Sequence, residues 1–100
     1  MLLKSVQTPR GEILNVSEQE ARDIFGASED AIKAARLNNL QLELRFERNR
    51  RLKESDWTQI PDAALSKDQK TAWAKYRQIL RDLPEATAET EQIIWPVEPT

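Results

Sequence analysis

The chain has no cysteine and no histidine among its 100 residues. Without cysteine there is no disulfide framework, thiolate metal site or thiol nucleophile. Without histidine the commonest general base and the commonest metal ligand are also missing. The two glycines, Gly11 and Gly26, stand fifteen residues apart, too far to build a glycine-rich phosphate loop. No window approaches the roughly 18 apolar residues of a membrane span. The leading MLLKSVQTPRGE has an apolar pair but no longer apolar region, so no signal peptide is evident. An enzyme, a bound cofactor and a resident metal are therefore not expected, and a soluble cytoplasmic protein is.

What is present is polar but not featureless. Hydrophobic residues make up 39% and charged residues 32%, enough apolar material for one small domain with a modest core. The net charge is −2, unevenly spread: the segment after Pro84 holds Glu85, Glu89, Glu91 and Glu98 and no cation. A mildly positive middle precedes that acidic end, too weakly charged to imply nucleic acid by itself.

Residues 1–16 place Pro9-Arg10-Gly11 between two short, weakly alternating apolar stretches. That pattern predicts a small β-hairpin, with a flexible arm that orders on a partner as the alternative. Ser17 and Glu20 have the spacing of a capping box, Ala21, Ile24 and Phe25 form an apolar face, and Gly26 ends a helix of about two to three turns. Ser28 then caps a segment free of glycine and proline over 29–54. Leu40, Leu42, Leu44 and Phe46 alternate with polar residues as in a strand. The dominance of Ala, Leu, Glu and Arg, with no β-branched residue after Ile32, instead predicts one long helix. Apolar residues would then cover two of its faces, which favours self-association or a client surface.

The best-signalled stretch is Ser55 to Pro84. Ser66 and Gln69 form a second capping box, and Ala72, Trp73, Tyr76, Ile79, Leu80 and Leu83 recur at helical spacing. Lys70, Lys75, Arg77, Gln78 and Arg81 fill most of the opposite face, and Pro84 is expected to end the helix. Before it, Ser55-Asp56-Trp57-Thr58 and Ile60-Pro61-Asp62 read as turns, with Trp57 packing toward Trp73 and Tyr76. Residues 85–92 read as a linker or a frayed extension of the helix. The apolar Ile93-Ile94-Trp95-Pro96-Val97 would either fold back or serve as a recognition peptide.

Arg48-Asn49, Leu52, Ser55 through Gln59, Pro61-Asp62, Trp73, Tyr76-Arg77 and Leu80 through Pro84 together resemble the C-terminal signature of bacteriophage tail assembly chaperone proteins. Trp95-Pro96 and Pro99 are similar to the short ending that follows it in many members. The resemblance spans Arg48 to Pro99, about half the chain, and carries no catalytic residues. It implies a non-catalytic assembly factor of phages or prophages whose partner is a tail component, a tape-measure or tail-fibre protein.

Arg45, Arg48, Arg50, Arg51 and Lys53 could contact phosphates, but at a helix C-terminus with Glu43, Glu47 and Glu54 interleaved they read better as a solvated end. Asp56, Asp62, Asp68 and Asp82 fit turn, cap and helix-end roles, with Asp82 placed to pair with Arg77 or Arg81. Trp73 is assigned to the core. Trp57, Tyr76 and Arg77 are shared between core and interface, and Trp95 is read as a partner contact. The expected architecture is mainly α, with two or three helices, a small N-terminal hairpin and a flexible acidic C-terminal tail. Residues 1–84 would form one small domain: a variable N-terminal segment over 1–28, the long helix 29–54 and the loop-and-helix 55–84. Residues 85–100 would be the tail. The expected partner is a tail protein or a second copy, with no nucleic acid and no membrane. The alternative functions are a minor structural tail protein and a small DNA-binding phage regulator.

Overall fold

The computed structural model describes residues 2–100: an antiparallel hairpin followed by three α-helices. The chain divides into two compact units, Met1–Leu42 and Glu43–Thr100.

In the first unit β1 (Leu3–Thr8) pairs with β2 (Gly11–Val16). Pro9 presets one corner of the turn, and Gly11 takes a left-handed φ of 100° that a β-carbon would resist. The Thr8 hydroxyl donates to the Gly11 carbonyl at 2.8 Å and accepts from the Arg10 amide at 3.1 Å, closing the turn. The register skips Lys4–Asn15, where Asn15 turns to φ 56°. The Lys4 amide donates instead to the side chain of buried Asn39 at 3.1 Å, and Asn39 Nδ2 donates to the Leu2 carbonyl at 2.7 Å. One buried carboxamide thus pairs with the amide of Lys4 in the first strand and with the carbonyl of Leu2 just before it.

Helix α1 (Glu18–Asp23) starts at the Ser17–Glu20 capping box, with both reciprocal bonds formed. It is shorter than the sequence implies. Gly26 adopts φ 69°, and the Ala27 amide reaches back to the Ala21 carbonyl at 2.8 Å. Ile24, expected on the apolar face, is exposed, whereas Ala21 is buried and Phe25 packs on the core. That core joins Leu3, Val6 and Val16 of the hairpin to Ala21, Ala27, Ile32 and Ala35. Burying a Val, Leu or Ile side chain stabilises by about 1.5–3 kcal/mol. An isolated hairpin is marginal, so it is this docking that makes the N-terminus a hairpin and not an arm.

Helix α2 (Glu29–Glu54) runs through the alternating stretch without becoming a strand. The Ser28 hydroxyl caps it by accepting from the Ala31 amide at 3.1 Å. Leu44 is buried, but Leu42 and Phe46 are exposed, Phe46 at 77%. In the second unit a 3-10 turn (Asp56–Gln59) leads to α3 (Lys67–Ala86), and Trp73, Tyr76 and Leu80 form the core with Leu52, Leu65 and Trp95 against them.

Two details of α3 correct the sequence reading. Its buried positions are Trp73, Tyr76, Arg77, Leu80, Leu83 and Pro84, while Ala72 and Ile79 are exposed. The inward stripe is therefore rotated toward Arg77. The 3.6-residue period admits either placement, and the one adopted brings a cation to the carbonyls that end α2. Pro84 lies inside the helix, which continues to Ala86. In the last turn proline removes one hydrogen bond, and burial of Leu83 and Pro84 offsets that loss. The Thr87 amide and hydroxyl both donate to the Leu83 carbonyl, at 3.0 and 2.6 Å, closing the end.

Candidate partner-binding surface

The second unit is tied from within by Arg77. The last carbonyls of a helix have no partner in their own ladder. At the end of α2 the Ser55 amide and hydroxyl turn back onto Arg51 and Leu52. Arg77 Nη1 completes the arrangement, donating to the Leu52 carbonyl and to Ser55 Oγ, both at 2.7 Å. Nη2 donates to Asp56 Oδ1 at 2.9 Å. The guanidinium is buried and its Nε has no hydrogen-bond partner among the described residues. A planar fork suits two acceptors side by side, and a cation at a helix C-terminus complements the dipole.

That tie fixes the turn that carries Trp57. The Thr58 amide and hydroxyl both donate to the Ser55 carbonyl, at 3.0 and 2.6 Å, and Thr58 is buried. Trp57 therefore leaves a rigid base and remains 49% exposed. Its inner edge meets Trp73 at a centroid distance of 6.0 Å, and Trp73 meets Tyr76 edge-on at 5.6 Å. Ile60, just beyond the turn, is exposed as well. An apolar pair on a preorganised support suits protein recognition, because little side-chain entropy is left to lose.

On the opposite flank, Arg51 lies 4.3 Å from the centroid of the Trp95 ring, a cation–π contact, and donates to Glu47 at 2.9 Å. Arg50 also pairs with Glu47 and reaches Glu54 at 2.5 Å. Arg50 first and Arg51 second hold the Glu47 carboxyl down at about 2. Pro96, Val97 and Pro99 line a groove of about 530 Å³ with Ala72, Tyr76 and Ile79 of α3. Among the described residues no group of acidic side chains could hold a metal ion, and no helix is long and apolar enough to cross a membrane.

The pattern of the phage tail assembly chaperone proteins matches residues 41–100, all of the second unit. The chain belongs to that family. The solution structure of protein CV0426 from Chromobacterium violaceum is 62% identical over the full length of both chains, with a TM-score of 0.56. No curated protein matches.

In this member of the family, the four residues singled out from sequence fall in one unit but in different settings. Trp57 is half exposed, Tyr76 and Arg77 are interior, and Trp95 is half-buried under Arg51. Arg77 pairs with Asp56, while Asp82 accepts from Gln78 at 3.0 Å and not from the expected arginines. Sequence reasoning placed Arg51 in a solvated basic run and overlooked its aromatic contact. The available signal was a cation in the last turn of a helix with a tryptophan downstream that reads from sequence as a partner contact, which is suggestive only once the chain is folded.

Proposed function

We propose that the chain binds a tail component, a tape-measure or tail-fibre protein, during virion assembly. It would keep that component's apolar segments from aggregating until the tail covers them. The family match over 41–100 carries this reading. The exposed Trp57 and Ile60, set on a turn fixed by Arg77, support it by offering an apolar contact already in its binding geometry. The action is mass action: a bound apolar segment is removed from the pool that aggregates. No enzymatic step is invoked.

Co-expression with tape-measure and tail-fibre proteins, followed by affinity purification and sizing, tests the proposal. A soluble complex with one of them, weakened by Trp57→Ala, is expected. Free chain in every case, with the tail proteins no more soluble than before, would reject it. Presence of the chain in purified particles would then favour a minor structural component.

A further inference from the structure

The C-terminal segment is held in an unusual way. Trp95 packs against Trp73, Tyr76 and Leu80 and takes the Arg51 guanidinium on its face. On either side of it Ile94 is 83% and Val97 90% exposed. Residues 93–100 form no helix or strand. An aromatic anchor thus holds a segment of no regular secondary structure, whose Pro96, Val97 and Pro99 form one wall of the groove against α3. Glu98 lines a small cavity with Arg50, Arg51, Glu54 and Tyr76, and the segment after Pro84 carries only acidic charged side chains.

These are the properties of a peptide ligand bound in cis. We propose that the face formed by Arg51, Tyr76 and Ile79 around the Trp73 cluster is a peptide site. Its occupant in trans is an extended tail-protein segment bearing an aromatic residue followed by proline and an acidic residue. That segment competes with the chain's own Trp95–Pro99. The occupant's chemistry is read from the segment already there: an indole under a guanidinium, prolines that wall the groove against α3, and a carboxylate at the small cavity that Arg50 and Arg51 line. Because its own segment is tethered, the site is filled at a high effective concentration, and a client must outcompete it. Only clients with a matching segment at high local concentration would then be taken up. This deepens the tail-component reading and rests on it.

The test uses the full chain and a labelled peptide of residues 91–100, followed by fluorescence anisotropy. Trp95→Ala chain is expected to bind the peptide at least tenfold more tightly than the wild type. A Trp95→Ala peptide should bind neither. Equal binding to both chains, or no binding to folded Trp95→Ala, overturns the proposal. If that variant fails to fold, the wild type is read directly by NMR. Excess peptide should move its own Trp95 indole signal to the free position, and a signal unmoved at saturating peptide overturns it. A wild-type dimer that becomes monomeric on adding peptide would assign the site to a second copy's segment and overturn the client reading. No tail protein enters these measurements, so they can fail while co-expression succeeds, and the reverse.

Discussion

Replacing Arg77 by methionine would show how much the tie behind the Trp57 turn contributes. Methionine keeps most of the buried stem and removes the fork. Two bonds are lost on the buried side, to the Leu52 carbonyl and to Ser55 Oγ, each 2.7 Å. At about 1.5 kcal/mol for a bond to a charged group, they sum to about 3 kcal/mol. The bond to Asp56 adds little, because that carboxylate's side chain is 65% exposed. Against this, the buried Nε without a partner disappears, returning about 1 kcal/mol. Neither abandoned acceptor is stranded, since Leu52 O still accepts from Ser55 and Ser55 Oγ still donates. The expected net loss is about 2 kcal/mol, or roughly 10 °C in the melting midpoint of a unit this size. Trp57, Trp73 and Trp95 all lie in Glu43–Thr100, so indole fluorescence during urea or thermal unfolding reports this unit. A change below about 0.5 kcal/mol, or a gain as in some buried ion pairs replaced by apolar residues, would refute the reasoning.

In the first unit, Asn39→Leu should cost about 1–2 kcal/mol by leaving the Leu2 carbonyl and Lys4 amide without the carboxamide. Hydrogen exchange reads it: the Lys4 amide should exchange faster, and unchanged protection would show that the side chain is not what satisfies it. Acid acts at Glu47. With its folded pKa depressed from 4.5 to about 2, the contribution of its pairs is full above about 4.5 and is lost as pH falls toward 2. Carboxyl NMR should titrate Glu47 near 2, and a value near 4.5 would mean that Arg50 and Arg51 do not hold it in solution.

Local signals in the sequence were legible where the physics is local. The capping boxes at Ser17 and Ser66 are set by residues three apart, and both form as written. The helix through Leu40–Phe46 follows from propensity, which outweighed an alternation that had no neighbouring strand to pair with. The extent of α3 was less legible, because the cost of Pro84 depends on what its buried ring and Leu83 pack against. The direction of Arg77 was legible only in part: the sequence puts it between core and interface and does not reveal its acceptors. On a helical wheel it belongs to the polar flank. It turns inward only because two acceptors 22 and 25 residues earlier in the chain arrive beside it. The likeness to tail assembly chaperones identified the family, and the packing of Trp57 toward Trp73 was expected from the aromatic pattern; the contact between Arg51 and Trp95 came only from the fold.

The same separation has a consequence for rates. The capping box and apolar stripe of α3 can form locally, whereas the fork can close only after the end of α2 and the 3-10 turn are both in place. Interactions made after the folding barrier slow unfolding and leave folding unchanged. In stopped-flow experiments Arg77→Met should therefore raise the unfolding limb roughly 30-fold, the equivalent of about 2 kcal/mol, with the refolding limb unmoved. A slowed refolding limb would place the fork in the folding nucleus. On this account Arg77 sets how long the Trp57 turn persists once formed, and has no bearing on how quickly it forms.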